Sequence, residues 1–155
     1  MTVVDDADRP LRPARRAGVL RQGLLHRGCG IFIVRDSRLF VHKRPFTKDI
    51  FPGRWSVYVG GGVHWGEGYL SAARRELLEE TGLKGRLRFL FKQRFTEKSD
   101  PFFGSFYLLL TGKEPAATRE YVASKWMTRK EAMRQANLCP NSIHLLNRLP
   151  REVLP

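Results

Sequence analysis

One stretch limits the fold of this chain more than any other. The run Gly60-Gly61-Gly62 is followed by a segment in which Leu70, Ala73 and Leu77 recur at i, i+3 and i+7, the spacing of one apolar helical face. This predicts a helix over about 69–81, with Gly68 at its N-cap and Gly82 in the left-handed conformation that often ends a helix. The apolar run "WSVYV" just before the glycines reads as a buried strand. A strand, a glycine turn and an amphipathic helix in direct succession require a sheet with a helix packed on it.

The remainder of the chain extends that layer. "GIFIV" and "LFVHKR", separated by "RDS", read as two strands of a hairpin, and "PFTKDIFPG" reads as a loop because Pro45 and Pro52 interrupt regular structure. "RLRFLFKQRFTE", "FFGSFYLLLTG" and "YVASKWMT" read as strands, and "TRKEAMRQ" and "NSIHLLNRL" as short helices. The pattern predicts an α/β sandwich with a mixed sheet. At 155 residues the chain holds one domain. Residues 1–18, rich in Pro, Arg and Asp, are expected to be a flexible lead-in, with the domain proper over 19–155.

Charge narrows the partners. With 28 Lys and Arg against 15 Asp and Glu, the formal net charge is +13, a field that attracts phosphate-bearing molecules. The basic residues are spread from Arg9 to Arg151 without the block expected of a nucleic-acid-binding tail, and no zinc-finger or RNA-binding aromatic signature accompanies them. No apolar run approaches the roughly 20 residues that span a bilayer, so a cytoplasmic location is expected. Cys29 and Cys139 lack metal-ligand spacing and are expected to be buried, reduced thiols.

The acidic residues are concentrated instead of dispersed. Glu76, Glu79 and Glu80 stand at i, i+3 and i+4, so they share one helical face and repel one another. A hard divalent cation such as Mg²⁺ relieves that repulsion and commonly shares its coordination with substrate phosphates. Arg75, four residues before Glu79, is placed to hold that carboxylate.

Gly61, five residues, Glu67, seven residues, then Arg75-Glu76-Leu77-Leu78-Glu79-Glu80-Thr81-Gly82-Leu83 matches the signature of the Nudix hydrolase family without a gap. At residue frequencies of about 6%, seven fixed positions match by chance on the order of once in a million chains this long. The resemblance implies a Nudix-type α/β/α sandwich with a mixed sheet, and hydrolysis, with Mg²⁺ or Mn²⁺, of a nucleoside diphosphate linked to another moiety. It implies Glu76, Glu79 and Glu80 as metal ligands, a backbone carbonyl of Gly61 or Gly60 as another, and Glu67 and Arg75 as supports. The general base is left between Glu79 and Glu120.

Upstream, "HRGCGIFIV" and "LFVHKRPFTKDIFPGRW" resemble the Nudix branch that includes isopentenyl diphosphate isomerase. By alignment on Trp55 and Glu67, Gly60 and Gly62 occupy the places of that enzyme's loop cysteine and histidine, and Cys29 lies in another strand. A diphosphate-cleaving hydrolase relative is therefore expected. The isomerase, and a non-catalytic module that binds RNA or a phosphorylated ligand, are the alternatives. Arg44, Lys43 and Lys48 are candidates for phosphate contacts, His64 and Trp65 for substrate contacts, and Trp55, Tyr58 and Phe46 for stacking on a base. Neither the particular substrate nor the oligomeric state is fixed by these residues.

Overall fold

The computed structural model describes residues 1–97, 100–116 and 118–155. In chain order its elements are β1 (Thr2–Val4), β2 (Pro10–Pro13), α1 (Arg16–Gln22), β3 (His26–Arg35), β4 (Arg38–Lys43) and β5 (Trp55–Ser56). There follow α2 (Tyr69–Thr81), β6 (Arg88–Phe95), β7 (Phe102–Leu110), β8 (Ala123–Met127), α3 (Arg129–Arg134) and α4 (Ser142–Asn147). All eight strands form one sheet. It is mixed: β3 and β7 run parallel from His26 opposite Phe102 to Val34 opposite Leu110, while every other strand pair is antiparallel.

Alternation along β3 explains the layers. Successive side chains of a strand point to opposite faces, so Ile31 and Ile33 join one core while Phe32 and Val34 join the other. The first core is closed by Ala72, Ala73 and Leu77 of α2. The second is closed by Ala132 of α3 and by Leu145 and Leu146 of α4. A helix layer on each face makes the α/β/α sandwich that the sequence predicts. α2 spans the predicted residues, with Gly82 ending it at φ 68°. Leu70, however, is exposed, and Ala72 takes its place in the buried stripe. α3 begins with a capping box, in which Thr128 and Glu131 satisfy each other's backbone N–H groups.

Two parts of the sequence reading need correction. Residues 1–18 are not a loose lead-in: β1 is buried and pairs with both β2 and β3, and the first turn of α1 falls in the same stretch. Side chains impose this order where periodicity is absent. Asp8 accepts hydrogen bonds from Arg27 and from Tyr69 of α2, and pairs with Lys92 of β6. The "WSVYV" strand is also shorter than expected, because only Trp55 and Ser56 pair with β4. Val57 and Val59 are nonetheless buried, and Val59 exchanges both backbone hydrogen bonds with Ile31.

Candidate active site

The glycine run is laid along one edge of β3. Cys29 donates to the Gly61 carbonyl at 2.9 Å and Val63 donates to the Arg27 carbonyl at 3.0 Å, on either side of Gly62. Gly60 has φ 145°, and a Cβ there would collide with the Cys29 carbonyl, so no other residue lets the chain lie this close to the strand. Beside it, a Cβ on Gly61 would sit 2.7 Å from the Glu76 carboxylate. The loop and the acidic helix face are thus in contact without a side chain between them.

Arg75 joins the two. Its guanidinium donates to both oxygens of Glu67, at 3.0 and 2.9 Å, to the Gly62 carbonyl at 3.0 Å, to Glu76 at 2.7 Å and to Glu79 at 3.2 Å. Glu67 also accepts the His64 backbone N–H at 3.0 Å, which closes the loop upon the helix. Hydrogen bonds from Arg75, chiefly, hold Glu67 below the usual carboxylate range. The planar guanidinium of Arg75 thus clamps three carboxylates and one loop carbonyl at once.

The three helix glutamates differ in environment. The Glu76 side chain is 13% exposed and that of Glu79 57%, while Glu80 is partly buried and accepts the Gly60 backbone N–H at 3.0 Å. Burial, and then the charge of Glu76, push Glu80 up to about 8. Burial also raises Glu76, despite Arg75. Among the described residues, no three acidic, histidine or cysteine side chains converge on one point in this arrangement. The donor set still fits a hard divalent cation: two desolvated carboxylates that repel each other, a third that is exposed, and adjoining glycine carbonyls.

A groove runs past these carboxylates, lined also by Arg16, Arg44, Lys48, His64 and Glu120. Lys48 pairs with Glu120, and Arg44 is held by the Ile50 carbonyl at 2.9 and 3.1 Å. Four of the candidates chosen from sequence, Arg44, Lys48, His64 and Glu120, are thereby brought to the groove. Four others are not. Trp55 packs against the core beneath α3 and α4 with Lys125 over its ring, Lys43 lies over the exposed ring of Phe46, and Trp65 is exposed; none of these lines the groove. Strand alternation accounts for Trp55, since β5 turns it towards the core that Val41 occupies.

Beyond Glu80 the groove continues into a cavity of about 110 Å³. Its walls include His26, His42, Tyr58, Asp100, Phe102 and Asn141, together with the buried thiols of Cys29 and Cys139. Sequence reasoning did not place His26, Asp100 or Arg16 at the site. Those residues carry no motif: the pairing of β3 with β7 brings His26 and Asp100 together, and α1 carries Arg16 to the same wall.

A match to the NUDIX domain extends over residues 24–149. The chain belongs to the Nudix family. An uncharacterized Nudix hydrolase of Streptomyces coelicolor is 45% identical over 96 residues, covering 59% of this chain and 52% of the relative. An isopentenyl-diphosphate Delta-isomerase of Serratia proteamaculans is 37% identical over 89 residues, covering 57% and 50%. The chain spans about half the length of these curated relatives. A crystal structure from Deinococcus radiodurans has the same fold, with a TM-score of 0.80, 23% identity, and coverage of 95% of this chain and 96% of the other. Among the described residues, no helix of this Nudix chain is long and apolar enough to cross a membrane.

Proposed function

We propose that this Nudix domain is a pyrophosphohydrolase that cleaves the diphosphate bond of a nucleotide or nucleoside diphosphate derivative with Mg²⁺ or Mn²⁺, in the cytoplasm. One observation carries the proposal: Glu76 and Glu80, both desolvated and mutually repelling, line a groove with Arg16, Arg44 and Lys48 on its other walls. Carboxylates for a cation and cations for a phosphate chain face the same space.

When bound, the metal supplies neutralisation of the diphosphate charge and a lowered pKa for a coordinated water. The chain supplies the rest. The Arg75–Glu67 clamp fixes the loop carbonyls and the Glu76 carboxylate in position, because a metal site works only when its oxygen donors are held. Glu76, Glu80, Glu79 and the carbonyls of Gly60 or Gly61 would hold the ion. Glu79, exposed at the groove wall, is placed to take the proton of the attacking water, and Glu120, tied to Lys48, is the second candidate base. Arg44, Lys48 and Arg16 orient the phosphates, with His64 beside them.

The isomerase-type relatives favour a second reading. Cys29, although in β3, does line the cavity, so distance in sequence does not remove its thiol from the site. It is 4% exposed and burial pushes it up to about 12, which makes it a weak acid for protonating an alkene. Phosphate or nucleoside monophosphate release from a panel of nucleotides, dinucleotides and capped RNA, with each metal and with Glu79→Gln in parallel, tests the hydrolase. Metal-dependent turnover lost in the variant supports it. Conversion of isopentenyl to dimethylallyl diphosphate would establish the isomerase instead, and salt-sensitive RNA affinity without turnover would establish a binding module.

A further inference from the structure

The far wall of the cavity holds two acceptors that face each other. His26 opens β3, and Asp100 lies just before Phe102, its register partner in β7. The His26 Nδ1 atom is 3.0 Å from the Leu24 carbonyl, so that nitrogen carries the proton and Nε2 is left with a lone pair. Nε2 is 3.6 Å from Asp100 Oδ1, too far for one proton to bridge. Oδ1 is itself buried without a hydrogen-bond partner among the described residues. Among the described residues, the cations Arg16 and Arg44 on the cavity wall are engaged elsewhere: Arg16 with Asp49 at 3.5 Å and Arg44 with the Ile50 carbonyl. Glu97, on the same wall, takes the Asn141 amide.

Buried acceptors are ordinarily supplied with a donor, and those that are not mark a place where one belongs. The cavity is open to the groove that holds the acidic residues: Arg16, Arg44, Gly60 and Glu80 line both. Its volume of about 110 Å³, open to the groove, takes the edge of a ring that enters from there. An isoprenyl chain would leave both acceptors unpaired.

Resting on the hydrolase reading above, we infer that His26 Nε2 and Asp100 Oδ1 together read a two-donor group on the substrate, and so set its class. Two acceptors need two hydrogens. An exocyclic amine of a single-ring base offers them, as does a vicinal diol of a sugar; a carbonyl or a hydrocarbon offers neither. Loss of such a donor leaves the buried Asp100 Oδ1 unsatisfied and His26 Nε2 without its partner from the substrate, which is why sites of this kind discriminate strongly against analogues that lack the donor.

The test is binding measured by calorimetry with Mg²⁺ on the Glu79→Gln protein, using two ligand pairs. CTP against UTP varies the amine, and UTP against 2′,3′-dideoxyUTP varies the diol. In one pair the donor-bearing nucleotide should bind about tenfold or more tightly. Asp100→Asn and His26→Gln should each bring that ratio towards one, since either amide gives the facing acceptor a donor from within the protein. Equal affinities in both pairs, or a ratio that survives both substitutions, would mean that solvent bridges the two atoms and would overturn the inference. Turnover by the parent protein decides the hydrolase separately. Preference without turnover removes the hydrolase and keeps the reading pair, and turnover without preference does the reverse.

Discussion

The two ends of the groove are built by different means. At the acidic end, Glu67, Arg75, Glu76 and Glu80 come from one loop and one helix, and their relative positions follow from helical geometry and a single guanidinium. At the far end, Arg16, His26, Arg44 and Asp100 come from four separate segments that meet only because β3 runs parallel to β7 and the β4–β5 loop folds back. The acidic end, proposed above as the reactive one, is therefore specified by local sequence, and the cavity, proposed to read the substrate, by tertiary register. One domain can keep the first constant while the second varies.

The largest effect expected from that contrast is at Glu80. Glu80→Gln should lower metal-dependent turnover by more than about 100-fold, a loss of several kcal/mol in stabilisation of the transition state. The same change should leave the melting temperature unchanged or raise it, because a desolvated carboxylate that repels Glu76 is removed. Steady-state kinetics and a thermal melt check the two halves. Turnover close to that of the parent would show that the acidic end is not the reactive one.

A smaller effect belongs to the clamp. Arg75→Met leaves Glu67 and Glu76 without their shared partner, and metal affinity should fall about 10- to 100-fold, as for other groups that orient metal ligands. Titration with Mn²⁺ followed by calorimetry reads this directly. Unchanged affinity would mean that the loop is held by its bonds along β3 alone, and the acidic end would then depend on tertiary register as much as the cavity does.

Legibility in the sequence followed the same division. The helix, its glycine cap and the carboxylate face could be read because spacing within 23 residues fixes them, whereas the pairing of Glu67 with Arg75 was implied only by the family resemblance. The strands were legible from alternation and gave an α/β sandwich with a mixed sheet, while the helix layer on each face was implied by the family resemblance. Trp55 was misplaced because an aromatic in a short strand gives no sign of which face it takes, and the answer came from the pairing of β5 with β4. His26 and Asp100 were invisible for a related reason: their 3.6 Å approach is a property of the β3–β7 register. Residues 2–13 were misread because their order comes from long-range ion pairs on Asp8, which no periodicity records.

Asp8 also ties the two ends together, and its expected effect is the smallest. It takes a hydrogen bond from Arg27 at 2.7 Å and one from the Tyr69 hydroxyl at 3.0 Å, so it links β3 to the first turn of the acidic helix, and its pairing with Lys92 adds β6. Burial pushes its carboxyl upward, but the bonds from Lys92, Arg27 and Tyr69 outweigh this and hold it below its ordinary value of 3.8. A carboxylate lowered in the folded state contributes its full stability above the unfolded value and loses it as pH falls through the folded one. At pH 7 the parent should exceed Asp8→Asn by about 1 kcal/mol, a hydrogen-bonded ion pair discounted for the exposure of Lys92. Urea unfolding should show that gap closing only below pH 3.8, once the parent's own carboxyl takes up its proton. A gap that stayed constant from neutral to strongly acid pH would show that Asp8 acts through shape alone, leaving the acidic end and the cavity coupled by backbone pairing and not by charge.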